Sequence, residues 1–159
     1  MKKLLLIITI ASIAFSCVTD DELLTVDQVN SGPKIIGFQN KIENIAYFAD
    51  EGVVAKDISV KLIGLGDGSL TSSDVELEYE IDTEKTTAIE GTEFSFSDNS
   101  RKVTLLAGST FTTLKLNINT GQLNATEKTE LVLKLKPVEG FTVSNANQSI
   151  KIIFVGCST

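Results

Sequence analysis

Two kinds of residue in this chain could do chemistry: a cysteine at position 17 that closes an apolar run, and acids that recur in short clusters. What they can do is limited by what is missing. The chain has no histidine, so no Ser-His or Cys-His nucleophile pair can be assembled, and the usual zinc ligand set is lacking. Glycoside hydrolysis needs only two acids across a cleft. However, Glu76, Glu78, Glu80 and Asp82 stand at every second position, which puts them in one row on a strand face with no cleft between them. Gly64-Leu65-Gly66-Asp67-Gly68 is rich in glycine but lacks the lysine and the following helix of a phosphate-binding loop, and reads as a connection. The residue types therefore point to a protein that is not an enzyme.

The cysteine belongs to a segment with a clear physical design. Lys2 and Lys3 give a charged start, Leu4 to Phe15 an apolar run, and small residues follow, the three parts of a secretory signal. The run is shorter than the roughly 20 apolar residues that a membrane-spanning helix needs. Ala14-Phe15-Ser16-Cys17 resembles a bacterial lipobox, in which the cysteine is lipidated and becomes the new N-terminus. Acyl chains contribute about 0.8 kcal/mol per buried methylene, and several on one residue exceed the marginal binding of a single chain. Asp20, Asp21 and Glu22 follow at once and resemble the surface-export signal of Bacteroidetes lipoproteins. The implied location is the outer membrane, lipid-anchored and exposed at the cell surface, with a periplasm-facing orientation as the alternative.

Charge and length agree with an anchored single domain. Removing residues 1 to 16 leaves 143 residues and takes away two lysines and no acid, moving the formal charge from −7 to −9. That length suits one domain with its own core. An acidic chain without a basic patch is a poor partner for nucleic acid, whose binding rests on Lys and Arg neutralising phosphates. With Cys17 used by lipid, Cys157 has no partner for an intrachain disulfide. Residues 17 to 33 are polar, show no sustained period and end in Asn30-Ser31-Gly32-Pro33. They read as a flexible tether holding the domain on the order of 20 Å from the bilayer.

From Ile35 onward apolar residues alternate with polar ones, the signature of strands with one buried face. Val75-Glu76-Leu77-Glu78-Tyr79-Glu80-Ile81-Asp82 is the clearest case. A slip of one residue would bury four carboxylates, so its register is firmly set. The same alternation runs through 58–62, 114–118, 131–135 and 150–154, with shorter candidates at 94–96 and 103–105. Glycine and Asn/Asp turns separate them, and no segment long enough for a helix has the helical period. The expected fold is a single immunoglobulin-like, all-β antiparallel sandwich of about seven strands over residues 34–159.

Thr87-Ala88-Ile89-Glu90-Gly91-Thr92-Glu93-Phe94, then Val103-Thr104-Leu105-Leu106-Ala107-Gly108-Ser109, resemble the "TA-x-x-G-x-D-Y" and "v-x-x-P-A-G" pattern of Calx-beta domains. Leu114 to Asn119 and Glu127 to Leu133 are similar to that family's next two strands, and the likeness spans residues 47–155. It implies acidic loops at one end of the sandwich that bind calcium, an ion that takes six to eight oxygens. Asp50, Glu51 and Glu93 match acidic positions of that site, whereas Asn119 and Thr120 stand where paired aspartates are expected. The resemblance thus implies calcium as a ligand but with a depleted ligand set. The functional expectation is a lipid-anchored envelope protein that is a structural or protein-interaction module. The alternative is a ligand-binding module, for calcium-dependent adhesion or for glycan, that serves an uptake or degradation system.

Overall fold

The computed structural model describes residues 32–157 of the chain. Ten strands run in order: β1 (Lys34–Phe38), β2 (Ile42–Phe48), β3 (Val53–Leu65), β4 (Val75–Ile81), β5 (Phe94–Phe96), β6 (Lys102–Leu105), β7 (Phe111–Asn119), β8 (Thr129–Leu135), β9 (Thr142–Val143) and β10 (Ser149–Cys157). They form two five-stranded sheets, β5-β7-β3-β1-β9 and β2-β10-β8-β4-β6. The only helical pieces among the described residues are single 3-10 turns at Ala49–Glu51 and Thr120–Gln122.

The seven expected strands are all present, and β1, β2 and β9 are additional. β1 shows no alternation, because Ile36, Gly37 and Phe38 are all buried. Gly37 is enclosed so tightly that a Cβ would lie 2.8 Å from the Asn147 Cβ and 2.9 Å from the Ile63 side chain. β2 buries only Ile45. Six ladders are antiparallel, but β1–β9 and β2–β10 pair in parallel. The chain crosses from one sheet to the other between Phe38 and Ile42, so each of its first two strands lies beside a late one. Asn147 fixes the crossing: its backbone carbonyl accepts from the Phe38 N–H at 2.8 Å, and its side-chain amide donates to the Phe38 carbonyl at 2.9 Å.

The core between the sheets is the set of inward residues that alternation implies. Leu77 and Tyr79 of β4 are buried, as are Ile58, Val60, Leu114, Leu116, Ile118, Leu131, Leu133, Ile150, Ile152 and Phe154. Ring pairs tie β5 to β10 and β4 of the opposite sheet. Phe94 stacks on Phe154 with centroids 6.0 Å apart, meets Phe96 edge-on at 5.7 Å, and Phe96 meets Tyr79 at 5.4 Å. Such pairs add about 0.5–1.5 kcal/mol each to the stabilisation from burial. Short as it is, β5 is thereby held rigidly enough to position the turn that follows it.

Candidate functional site

A groove of about 450 Å³ opens on the side of the sandwich, between β4 and β6 on one wall and β7 on the other. It exists because β5 stops at Phe96, so that its ladder with β7 covers only Leu116–Ile118. The Leu62 N–H donates to the Thr110 carbonyl, and the Ser97 N–H donates to the Lys115 carbonyl. Backbone groups alternate sides along an antiparallel strand, so the amide and carbonyl of Thr113 face the groove with no strand beside them. Ser97, Ser100, Thr104 and Thr113 also line it, the Ser97 hydroxyl donating to the Asn117 side-chain oxygen at 3.3 Å.

Its two cations are already partnered. Lys102 meets Glu76 at 2.6 Å and Glu78 at 3.4 Å, and Lys115 meets Asp57 at 3.0 Å. The bond to Glu76 holds the Lys102 ammonium above its ordinary pKa. Lys136, then Lys102, hold the Glu78 carboxyl below the usual carboxylate range. Tyr79 forms part of the floor, and burial pushes its phenol up, against the opposing pull of Arg101.

The groove's end is shaped by the turn from Asp98 to Arg101. Asp98 accepts from the Ser100 N–H at 2.8 Å and the Ser100 hydroxyl at 2.9 Å, and these bonds, the backbone one first, lower its pKa. Arg101 is the one non-glycine described residue with positive φ, at 60°, a conformation that costs about 1–2 kcal/mol. Its guanidinium offsets that cost by lying over the Phe96 ring at 3.9 Å and donating to both carboxylate oxygens of Glu90, at 2.5 and 2.7 Å. Nothing in the local sequence marks Arg101; only the preceding Asp-Asn-Ser turn could have drawn attention to it.

At the loop end, the expected calcium ligands are not gathered. Among the described residues no group of three or more His, Cys, Asp or Glu side chains could hold a metal ion. Glu93 is 5 % exposed and its carboxylate is engaged internally. One oxygen accepts from the Ile89 N–H at 2.7 Å and the other from the Thr129 hydroxyl at 2.6 Å. Asp50 and Glu51 lie in the exposed 3-10 turn after β2, and Glu51 accepts from the Phe48 N–H at 2.9 Å. Thr120, fully buried, donates its hydroxyl to the Gly52 carbonyl at 2.8 Å, while the Asn119 side chain donates to the Thr92 carbonyl at 3.2 Å. Hydrogen bonds within the chain therefore close these loops. Cys17, Asp20, Asp21 and Glu22 lie outside the described residues.

No family model matches the chain, and no curated protein sequence does. Solved structures do match. One, from Bacteroides ovatus ATCC 8483 and described as a presumptive carbohydrate-binding protein, aligns with a TM-score of 0.58 at 16% identity over 79% of this chain and 37% of that one. The Calx CBD1 domain in its apo form aligns at 0.55 and 15% identity over 77% of this chain and 96% of that one. The Bacteroides thetaiotamicron EndoBT-3987, solved with a Man5GlcNAc product, aligns at 0.52 and 12% identity over 76% of this chain and 30% of that one. The domain is thus a Calx-beta-like β-sandwich. This chain spans well under half of the two Bacteroides proteins and nearly the whole of the Calx domain.

Proposed function

We propose that this protein is a non-catalytic binding module, lipid-anchored through Cys17 at the outer membrane and displayed outward by the Asp20-Asp21-Glu22 signal. It takes a neutral, hydroxyl-rich ligand of the glycan class in the side groove. The observation that carries this reading is the groove's chemistry. The Thr113 backbone groups and the Thr104 and Thr113 hydroxyls stand without a partner among the described residues, while the Ser97 and Ser100 hydroxyls are turned to Asn117 and Asp98. Both lysines are neutralised by carboxylates, which leaves a lining suited to sugar hydroxyls and poorly suited to free anions. Its one aromatic, Tyr79, is buried, so recognition rests on hydrogen bonds without ring stacking. Each such bond adds a net of about 0.5–1.5 kcal/mol, and binding in the millimolar range is expected. The resemblance to a protein described as carbohydrate-binding supports the same reading.

Titration of the full chain with Man5GlcNAc and with xylan- and pectin-derived oligosaccharides, followed by NMR or calorimetry, tests it. At least one should bind wild type and not Thr113→Trp, which fills the groove. Binding that Thr113→Trp leaves intact, or no binding by any of them, overturns the ligand assignment. Labelled palmitate tests the anchor separately: wild type should incorporate it and Cys17→Ala should not.

A further inference from the structure

β2 differs from every other sheet edge. β5 is three residues long, β9 two, and β6 four with Lys102 at its start. Shortness and charge of this kind keep edges from pairing with other chains. β2 is seven residues of regular strand at the margin of its sheet, and among the described residues no strand pairs with its outer side. The Lys151 N–H donates to the Lys41 carbonyl in the parallel ladder with β10. By the alternation of such a ladder, Ile42, Asn44 and Ala46 direct their amides and carbonyls outward. The outer face of the same strand carries no charge and exposes Ile42 and Phe48, at 57 and 51 %. Its one acid, Glu43, points the other way and meets Lys56 at 3.4 Å.

The ends of the strand identify the occupant. Lys41 precedes it, and Asp50 and Glu51 follow it in the exposed turn. None of the three has an ion-pair partner among the described residues. Antiparallel pairing of β2 with itself about Ile45 sets Ile42 opposite Phe48, Asn44 opposite Ala46 and Glu43 opposite Tyr47, with no like charges facing. It also brings Lys41 of each copy beside the Ala49–Glu51 turn of the other, twice by symmetry. We infer that β2 is a homodimer edge, where two copies of this chain pair antiparallel about Ile45 and join their sheets into one of ten strands. Such an isologous interface needs no other component, and it lies in a different sheet margin from the groove, so it stands independently of the glycan reading.

The test uses the full chain, co-expressed in two differently tagged forms and recovered from membranes through one tag under reducing conditions. Wild type should bring its other form with it. Lys41→Glu paired with itself, and Asp50→Lys paired with itself, should each lose about tenfold in recovery. Lys41→Glu mixed with Asp50→Lys should recover it, because both cross-contacts are then again between opposite charges. Ala46→Pro, which removes an outward N–H that no described strand uses, should abolish recovery while leaving the melting temperature unchanged. Equal recovery for all pairs, or a mixed pair no better than the single swaps, overturns the homodimer edge.

Discussion

The acidic loop end and the side groove are built from the same polar residue types, yet their hydrogen bonds are spent differently. At the loop end Glu93, Asn119 and Thr120 are occupied by the backbone and hydroxyl groups of adjoining segments. In the groove, the Thr113 backbone and the Thr104 and Thr113 hydroxyls are left without a partner among the described residues, and the charges are bound to one another at the rim. A polar cluster marks a binding site only where its donors and acceptors are left over after folding. At the loop end, which the Calx-beta resemblance singles out, Glu51, Glu93, Asn119 and Thr120 are engaged in holding the loops, and Asp50 alone stands exposed without a hydrogen bond to the described residues.

The largest expected effect comes from Glu93. Replacing it with alanine leaves the Ile89 N–H and the Thr129 hydroxyl without acceptors in a half-buried place. That should cost about 2–4 kcal/mol in denaturant unfolding, and Glu93→Gln, which keeps one acceptor, about half of that. An alanine variant within 0.5 kcal/mol of wild type would show that the carboxylate does not close the loops and would reopen them as a ligand site. Melting in calcium against chelator separates the two roles: a structural Glu93 gives coincident curves. An ion held at 100 times its dissociation constant would raise stability by about 2.7 kcal/mol.

This difference was only half legible in the sequence. The row Glu76, Glu78, Glu80 and Asp82 dictated the register of β4 and the inward place of Leu77 and Tyr79, because the alternative buries charge. Glu93 stood out as an acid in a recognisable motif, but its burial depends on Thr129, 36 residues away, and no local pattern carries that pairing. The parallel ladders of β1 and β2 escaped for the same reason: they rest on Asn147 and on β10 at the far end of the chain. Arg101 escaped because its positive φ is stabilised by Phe96 and Glu90, which only the folded turn brings under its guanidinium.

The smallest effect concerns the groove's rim, where charge is exposed. Asp98 and Glu78 are both held below their ordinary values of 3.8 and 4.5, by the Ser100 bonds and by Lys136 with Lys102 respectively. A carboxylate whose folded pKa is depressed contributes stability above its unfolded value and loses it as pH falls toward the folded one. Melting temperature should therefore be flat between pH 7 and about 5 and should decline once pH falls below the ordinary carboxylate values. The decline should be shallow, since solvent screens these groups. Asp98→Asn cannot titrate there, so its curve should fall less steeply than wild type over the same acid range. Parallel curves would mean that the turn carrying Arg101 is held by Phe96 and Glu90 alone, and the shape of the groove would then be insensitive to the charge on its rim.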